Sequence, residues 1–369
     1  MISILNFYYP SIEGGGLEKN LFSLINSLAK KKYKINFFTY ENNTKKKEFK
    51  KKFYFHKNIN IITSSVIPGI KNRYIKYFFC IFSLFFYSIF QRGIIISFQG
   101  NILSIMIAKI TFSKIVIRCN TAPSKYINSY LKRIFFKYFY SLGNIILVTS
   151  IDFKKEIYKY FKLNSFVHRQ SLDIREIKKK SQIKTNFNFF KNFKGLKIIN
   201  IGRLTHQKNQ MVLLKAFAKL VKIRRARLLL IGSGGDREKL IKYINEKKLD
   251  DKIKIIPFTS NPFKYISLCD LKVLSSRYEG NPNILLETAS LKKIIISSDC
   301  KVGPKEILQS GKGGILFKVG DYNKLYSILK NIELNSNDVN KKIMVSYKYV
   351  KNNFQKDISN SFIDIIKKI

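Results

Sequence analysis

DLKVLSSRYEGNPNILLETASL, residues 270–291, reads as strand, loop and helix in succession. Leu271, Val273 and Leu274 make a short buried strand, 275–283 hold the Gly and Pro of a turn, and 284–291 carry an apolar pattern of helical period. Glu279 then falls on the loop and Glu287 on the helix. Seven residues separate them, which in one continuous helix would set them about 80° apart. A loop instead lets Glu279 fold back over the helix start, so that both acids can face one cleft. The amides around Asn283, Ile284 and Leu285 open the helix without intrahelical partners, and such an end attracts phosphate.

The same unit recurs outward from this stretch. An apolar segment at 2–7, a Pro- and Gly-bearing loop at 9–16, helical spacing over 17–28 and a strand at 34–40 make a β-α-β opening of the kind that builds a parallel sheet. Strands at 93–98, 115–118 and 144–149 continue it, with apolar helices at 77–90 and 101–110 and an amphipathic basic pattern at 126–140. Between 173 and 194 the apolar periodicity lapses and Lys, Asn and Ser accumulate, which places a linker there. The rhythm then restarts with strands at 197–201, 227–231, 252–256, 271–275, 293–297 and 315–319. The expected fold class is α/β, with two Rossmann-like doubly wound domains at 1–172 and 195–344.

Composition bounds the partners. The 369 residues include 69 Lys and Arg against 23 Asp and Glu, a net charge of +46. Nucleic acid, an anionic membrane or an acidic substrate would each suit such a charge. Abundant Lys, Asn, Ile, Phe and Tyr with no Trp is also what an AT-rich genome produces without any partner. The run KKKEFKKKFYFHK at 45–57 reads as a solvated loop ahead of a specific lipid or phosphate contact. YFFCIFSLFFYSIF at 77–90 has no charge in 14 residues, short of the roughly 20 that span a bilayer. It reads as a buried or interfacial helix. Residues 126–140 mix aromatics with Lys132, Arg133 and Lys137, a pattern suited to a membrane surface. The four cysteines show no paired or metal-ligand spacing and fit a reducing cytosol. MISILNFYYP reads as a first strand and not as a secretion signal.

Arg203 and Lys208 lie five apart after a strand that ends near Gly202. Both can leave the carboxyl edge of the sheet, where open α/β sheets bind ligands. Two cations there suit a diphosphate, and the paired acids downstream favour that over two chance members of a basic chain. Gly14, Gly15 and Gly16 open a helix after a strand, which fits close approach of a ligand and a flexible turn about equally. Gly232-Ser-Gly234-Gly235 fails the dinucleotide fingerprint because Arg237 holds its third position, so an NAD enzyme is not expected. Three histidines and no acidic metal spacing predict no metal requirement.

Glu279-Gly-Asn-Pro-Asn-Ile-Leu-Leu-Glu287 resembles the E-x7-E signature of the retaining family-4 glycosyltransferases, whose GT-B fold sets two Rossmann-like domains across a cleft. Gly202-Arg203 to Lys208, the loop from Gly14 to Glu18, and Asp299 to Leu308 carry the resemblance further, the last toward the members that build polysaccharide and lipopolysaccharide. The resemblance implies that Arg203 and Lys208 hold the donor's distal phosphate, that Glu279 contacts the transferred sugar and Glu287 the nucleotide ribose, and that Asn283 and Ile284 join them. It places a donor-side glycine loop at Gly15 and Gly16. Where many relatives carry a histidine this chain has Ile117-Arg118-Cys119-Asn120, so Arg118 and Asn120 are assigned to the cleft. His168 likewise stands where relatives often have Asn-Pro. A helical tail, about 345–369, is expected to complete the first domain.

The implied activity is hexosyl or N-acetylhexosaminyl transfer, with retention, from a nucleotide-sugar donor, UDP-linked, to a lipid-linked glycan acceptor. No further cofactor is expected. The implied location is cytoplasmic, peripheral on the inner face of an anionic membrane surface. Two rivals are a basic nucleic-acid-binding protein and a catalytically inactive scaffold. Dispersed basic residues without an RNA-binding aromatic signature argue against the first, so no nucleic acid partner is expected. Intact Arg203, Lys208, Glu279 and Glu287 argue against the second.

Overall fold

A computed structural model describes residues 4–12, 16–40, 55–64, 70, 72–354 and 357–369. Gly14, Gly15, Glu41 and most of the basic run at 45–57 therefore lie outside the described residues, whereas Gly16 begins a helix. The chain divides into two compact units, 1–171 with 357–369, and 172–356.

The first unit holds strands β1 (Ile4–Tyr8), β2 (Lys34–Thr39), β3 (Ile59–Thr63), β4 (Ile94–Ser97), β5 (Ile115–Arg118), β6 (Ile145–Val148) and β7 (Phe166–Val167). They run parallel in the order β3-β2-β1-β4-β5-β6-β7. The order reverses between β1 and β4, which is where such sheets open a binding crevice. Crossovers between parallel strands are right-handed. Helices Arg73–Phe90, Asn101–Ile110, Tyr130–Ser141 and Ile151–Phe161, which all step the same way across the sheet, therefore share one of its faces. Helix Gly16–Lys30 steps the other way and covers the opposite face, where Leu5 and Phe7 pack with Leu21, Ile25 and Phe362.

Phe362 belongs to helix Ile358–Ile366, which closes the first unit's core from the far end of the chain. Asp357 caps that helix by accepting from the Ser359 amide at 2.9 Å and pairs with Lys31 at 2.8 Å. The helical tail is thus two pieces. Helix Asn337–Phe354 packs into the second unit through Val350 and Phe354, and only 357–369 completes the first.

The second unit holds β8 (Leu196–Ile201), β9 (Ala226–Ile231), β10 (Ile253–Ile256), β11 (Leu271–Leu274), β12 (Ile294–Ser298) and β13 (Ile315–Phe317), parallel and ordered β10-β9-β8-β11-β12-β13. The reversal falls between β8 and β11. Their sequences, such as LLLI and IIISS, are nearly unbroken apolar or small runs because both faces of the sheet are covered. Leu271 and Val273 face one core, with helix Gln210–Leu220. Leu274 faces the other, with Leu285, Leu286 and Ala289 of helix Asn283–Ser290. Residues 173–194, expected as a linker, include helix Ile174–Ser181. It is capped by Asp173 and buries Ile174 and Ile177 in that second core. Among the described residues no helix is long and apolar enough to cross a membrane.

Candidate active site

The second unit's switch point brings together two loops that leave neighbouring strands. The first, 202–209, follows β8 and turns tightly, Lys208 and Asn209 amides donating to the Thr205 carbonyl at 2.9 and 3.1 Å. The second, 275–282, follows β11. Side chains fasten each to the other: Ser275 Oγ donates to the Lys208 carbonyl at 2.9 Å, Gln207 Nε2 to the Tyr278 carbonyl at 3.1 Å, and the Arg277 amide to the Gln207 carbonyl at 2.8 Å. Ser298 Oγ, at the end of β12, donates to the Ser276 carbonyl at 2.7 Å. Gly232 leaves room for the first loop. A Cβ there, at φ +154°, would fall 2.0 Å from the Gly202 carbonyl oxygen.

Lys208 Nζ lies 2.6 Å from Glu279 Oε1, joining the two loops by charge, and Ser276 Oγ donates to the same oxygen at 2.5 Å. Glu279 is buried, with 7% of its surface exposed. Arg203 is exposed on the same loop, its Nη2 donating to Gln207 Oε1 at 3.3 Å. One cation is therefore already paired with an acid and the other faces solvent.

Glu287 is half-buried on helix Asn283–Ser290. That helix begins after Pro282, which supplies no capping side chain. The Leu285 amide, expected to be open to a ligand, instead donates to the Pro282 carbonyl at 2.9 Å, because the first turn tightens to an i to i−3 bond. Asn283 and Ile284 form the start of the turn, both half-buried.

One charged residue of this unit was not singled out by sequence. Lys272 lies in β11 between Leu271 and Val273 with none of its surface exposed. Its Nζ is 3.4 Å from the Ile201 carbonyl oxygen, directly before the 202–209 loop. Burial drives its ammonium well below the ordinary lysine value, with the charge of Lys208 acting the same way and Glu279 and Glu287 opposing. A lysine inside an otherwise apolar strand was the available signal.

In the first unit Arg118 ends β5 and is 3% exposed. Its Nη1 lies 3.0 Å from His168 Nδ1 and its guanidinium stands 5.1 Å from the Phe98 ring centre. His168 Nε2 is 3.1 Å from the Ile358 carbonyl. Arg118 can only donate, so His168 accepts at Nδ1 and carries its proton on Nε2. Burial, and then the charge of Arg118, lower the His168 pKa to about 3 and keep the ring neutral. Burial also lowers Arg118 to about 10. Arg118 and His168 thus tie β5 to the returning C-terminal helix. Asn120 is half-buried and donates from Nδ2 to the Phe98 carbonyl at 2.6 Å. Among the described residues no group of three His, Cys, Asp or Glu is placed to hold a metal.

Residues 181–348 match the family model described as Glycosyl transferases group 1. An uncharacterized glycosyltransferase of Methanocaldococcus jannaschii is 37% identical over 180 residues, 47% of this chain and 44% of that protein. The N-acetylgalactosamine-N,N'-diacetylbacillosaminyl-diphospho-undecaprenol 4-alpha-N-acetylgalactosaminyltransferase of Campylobacter jejuni is 30% identical over 135 residues, 37% of this chain and 36% of that protein. The matched segments thus span less than half the length of these relatives. The Anabaena protein HepE, solved in complex with UDP and glucose, superposes with a TM-score of 0.79 at 14% identity and covers 100% of both chains. A Rickettsia africae glycosyltransferase superposes at 0.78 with 16% identity, covering 99% of this chain and 98% of the other. The fold is that of the GT-B glycosyltransferases.

Proposed function

We propose that this chain, whose residues 181–348 form a Glycosyl transferases group 1 domain, is a retaining glycosyltransferase. It moves a hexosyl or N-acetylhexosaminyl group from a nucleotide sugar, UDP-linked, to a lipid-linked glycan in cell-surface polysaccharide synthesis. The observation that carries this reading is the Lys208–Glu279 pair with Arg203 on the same loop as Lys208, two cations and an acid at the carboxyl edge of a parallel sheet. A hydrolase would need a carboxylate on each side of the scissile bond and would leave Arg203 and Lys208 without a task.

In this reaction the bond from the anomeric carbon to the leaving phosphate oxygen breaks, and the acceptor hydroxyl bonds to the same face of that carbon. Its proton passes to the departing phosphate. Arg203 and Lys208 stabilise the negative charge that grows on the diphosphate, which is where preformed cations lower a barrier most. Glu279 faces the sugar as positive charge develops there, and Glu287 holds the nucleotide ribose. The turn at Asn283 and Ile284 offers amides to the donor. Arg118 and Asn120 serve the acceptor side, Arg118 by fixing the strand end that presents Asn120. Incubating the protein with a panel of nucleotide sugars and lipid-linked acceptors tests the reading: transfer with retained configuration supports it, and an inverted product contradicts it.

The bilayer itself is the second partner in this reading, held by the first unit. Helix Arg73–Phe90 exposes Tyr74, Phe78, Phe82, Phe86 and Phe90 at every fourth position. Asn101–Ile110 exposes Met106 and Ile110, and Tyr130–Ser141 exposes Leu131, Phe135 and Tyr138. These three helices pack side by side on one face of the sheet. Residues 49–151 contain 15 Lys and Arg and no Asp or Glu in 103 positions. An apolar aromatic face rimmed only by cations suits an anionic lipid surface. In this reading the protein works on the inner face of the membrane that carries its acceptor.

A further inference from the structure

Lys272 is the charged group for which the reaction above has no use. Its register partners in the sheet are Ile199 on β8 and Ile295 on β12. Both belong to the apolar layer beneath helix Asn283–Ser290, together with Leu274, Leu285 and Leu286. A lysine ammonium has three protons to donate, and here the hydrogen bond it makes is one long contact of 3.4 Å to the Ile201 carbonyl. Among apolar neighbours that arrangement suits a neutral amine far better than a charge.

The position of the amine is as informative as its burial. Ile201 is the last residue of β8, and the next residues, Gly202 and Arg203, open the phosphate loop. A Cβ on Gly202 would meet the Lys208 side chain at 3.5 Å, so Lys208 lies against the residue that directly follows the carbonyl Lys272 touches. The ionisable groups that act on it are Lys208 on the first loop, Cys269 before β11, Glu279 on the second loop and Glu287 on the helix above. Lys208 and Glu279 neutralise each other at 2.6 Å. A diphosphate bound to Arg203 and Lys208 would draw Lys208 into new bonds and add net negative charge on this side of the sheet. Both changes favour protonation of the amine below.

We propose that Lys272 is a positioning residue of the donor site that takes up a proton from solvent when a nucleoside diphosphate binds. The third positive charge then appears under the 202–208 loop only when the anion is present, and it is absent from the apolar layer when the site is empty. This inference rests on the donor reading given above.

Titration calorimetry with UDP at pH 8, repeated in buffers of different ionisation enthalpy, tests it. The terminal phosphate of the ligand, with a second pKa near 6, is already ionised at that pH. A buffer-dependent enthalpy for the wild type that corresponds to uptake of close to one proton is expected, together with its loss in Lys272→Met and in Lys272→Leu. His206, exposed on the same loop, is the other group that could gain a proton, and His206→Gln should keep the uptake. UDP binding to the wild type without proton uptake overturns the inference, as does uptake that disappears with His206→Gln. Equal uptake in a folded Lys272→Met protein would overturn it too. A wild type that binds no UDP at all overturns the donor reading itself, and the inference with it.

Discussion

Lys208 and Glu279, 71 residues apart, meet at 2.6 Å where the loops after β8 and β11 cross. The pair joins a cation and a buried acid of the proposed donor site across the two loops. It also gives Lys208 a second task that its position in the sequence does not reveal.

Arg203 and Lys208 should therefore differ when replaced. Loss of a charge-assisted hydrogen bond costs roughly 1.5 to 3 kcal/mol, so either Arg203→Ala or Lys208→Ala should lower turnover by about 10- to 150-fold. Arg203 is exposed and its removal should leave the thermal melt unchanged. Lys208→Ala strands the buried Glu279 with the Ser276 hydroxyl as its donor, which costs on the order of 1–3 kcal/mol of stability. Equal melts for both variants would show that the pair contributes no stability.

The two acids should fail in separate ways. Glu287→Gln should raise KM for the donor and spare kcat, since contact with the ribose stabilises ground and transition states alike. Glu279→Gln should depress kcat, since it removes charge beside the sugar only as that sugar becomes positive. If steady-state kinetics gave a change in KM alone for both, the roles assigned to them would be wrong.

The fold was legible where the physics is local. Covered parallel strands demand apolar runs, so β8, β9, β11 and β12 stand out in the sequence. The edge strands β7, two residues long, and β3, whose INIIT run is broken by the exposed Asn60, lack that signature. Helix Ile174–Ser181 was read as linker because only Ile174 and Ile177 are apolar in IREIKKKS, and a two-residue stripe does not register as a period. The tail read as one helix because its apolar spacing hardly changes. What divides it is the Asp357 cap, which becomes visible only with its Ser359 and Lys31 partners. The acids and the cationic loop of the proposed donor site stand out in the sequence by their spacing. Lys272 was not, because period reading treats β11 as apolar and passes over the one residue that is not.

Acid should loosen the first unit through His168. Burial and the neighbouring Arg118 depress its pKa to about 3 in the folded state, whereas an unfolded chain holds it near 6.5. The unfolded state then binds more protons between those values, so stability is full above about 6.5 and falls as pH drops toward 3, with a slope approaching 1.4 kcal/mol per unit. His168→Gln, which can still accept from Arg118 and donate to Ile358, should lack this part of the slope. Urea midpoints from pH 7 to 4 that fall in parallel for wild type and variant would refute the assignment.

The aromatic face of the first unit should bind lipid with a salt dependence. Co-sedimentation with vesicles containing anionic lipid should be strong at 0.1 M salt and weaken toward 1 M, as the Debye length falls from about 10 to about 3 Å. Phe78→Ser combined with Phe82→Ser, on the exposed stripe, should reduce vesicle binding while leaving UDP binding in solution intact. Equal binding to neutral vesicles would contradict the electrostatic part of this account.

The central claim is that the second unit's crossing loops bind and activate a nucleotide-sugar diphosphate. Its most direct measurement is release of nucleoside diphosphate from the correct nucleotide sugar, in the presence of a lipid-linked acceptor, by the wild type and by Lys208→Ala. The account predicts acceptor-dependent release by the wild type and a loss of about 10-fold or more in the variant. No release from any nucleotide sugar by the wild type, or release by the folded variant at the wild-type rate, would contradict it.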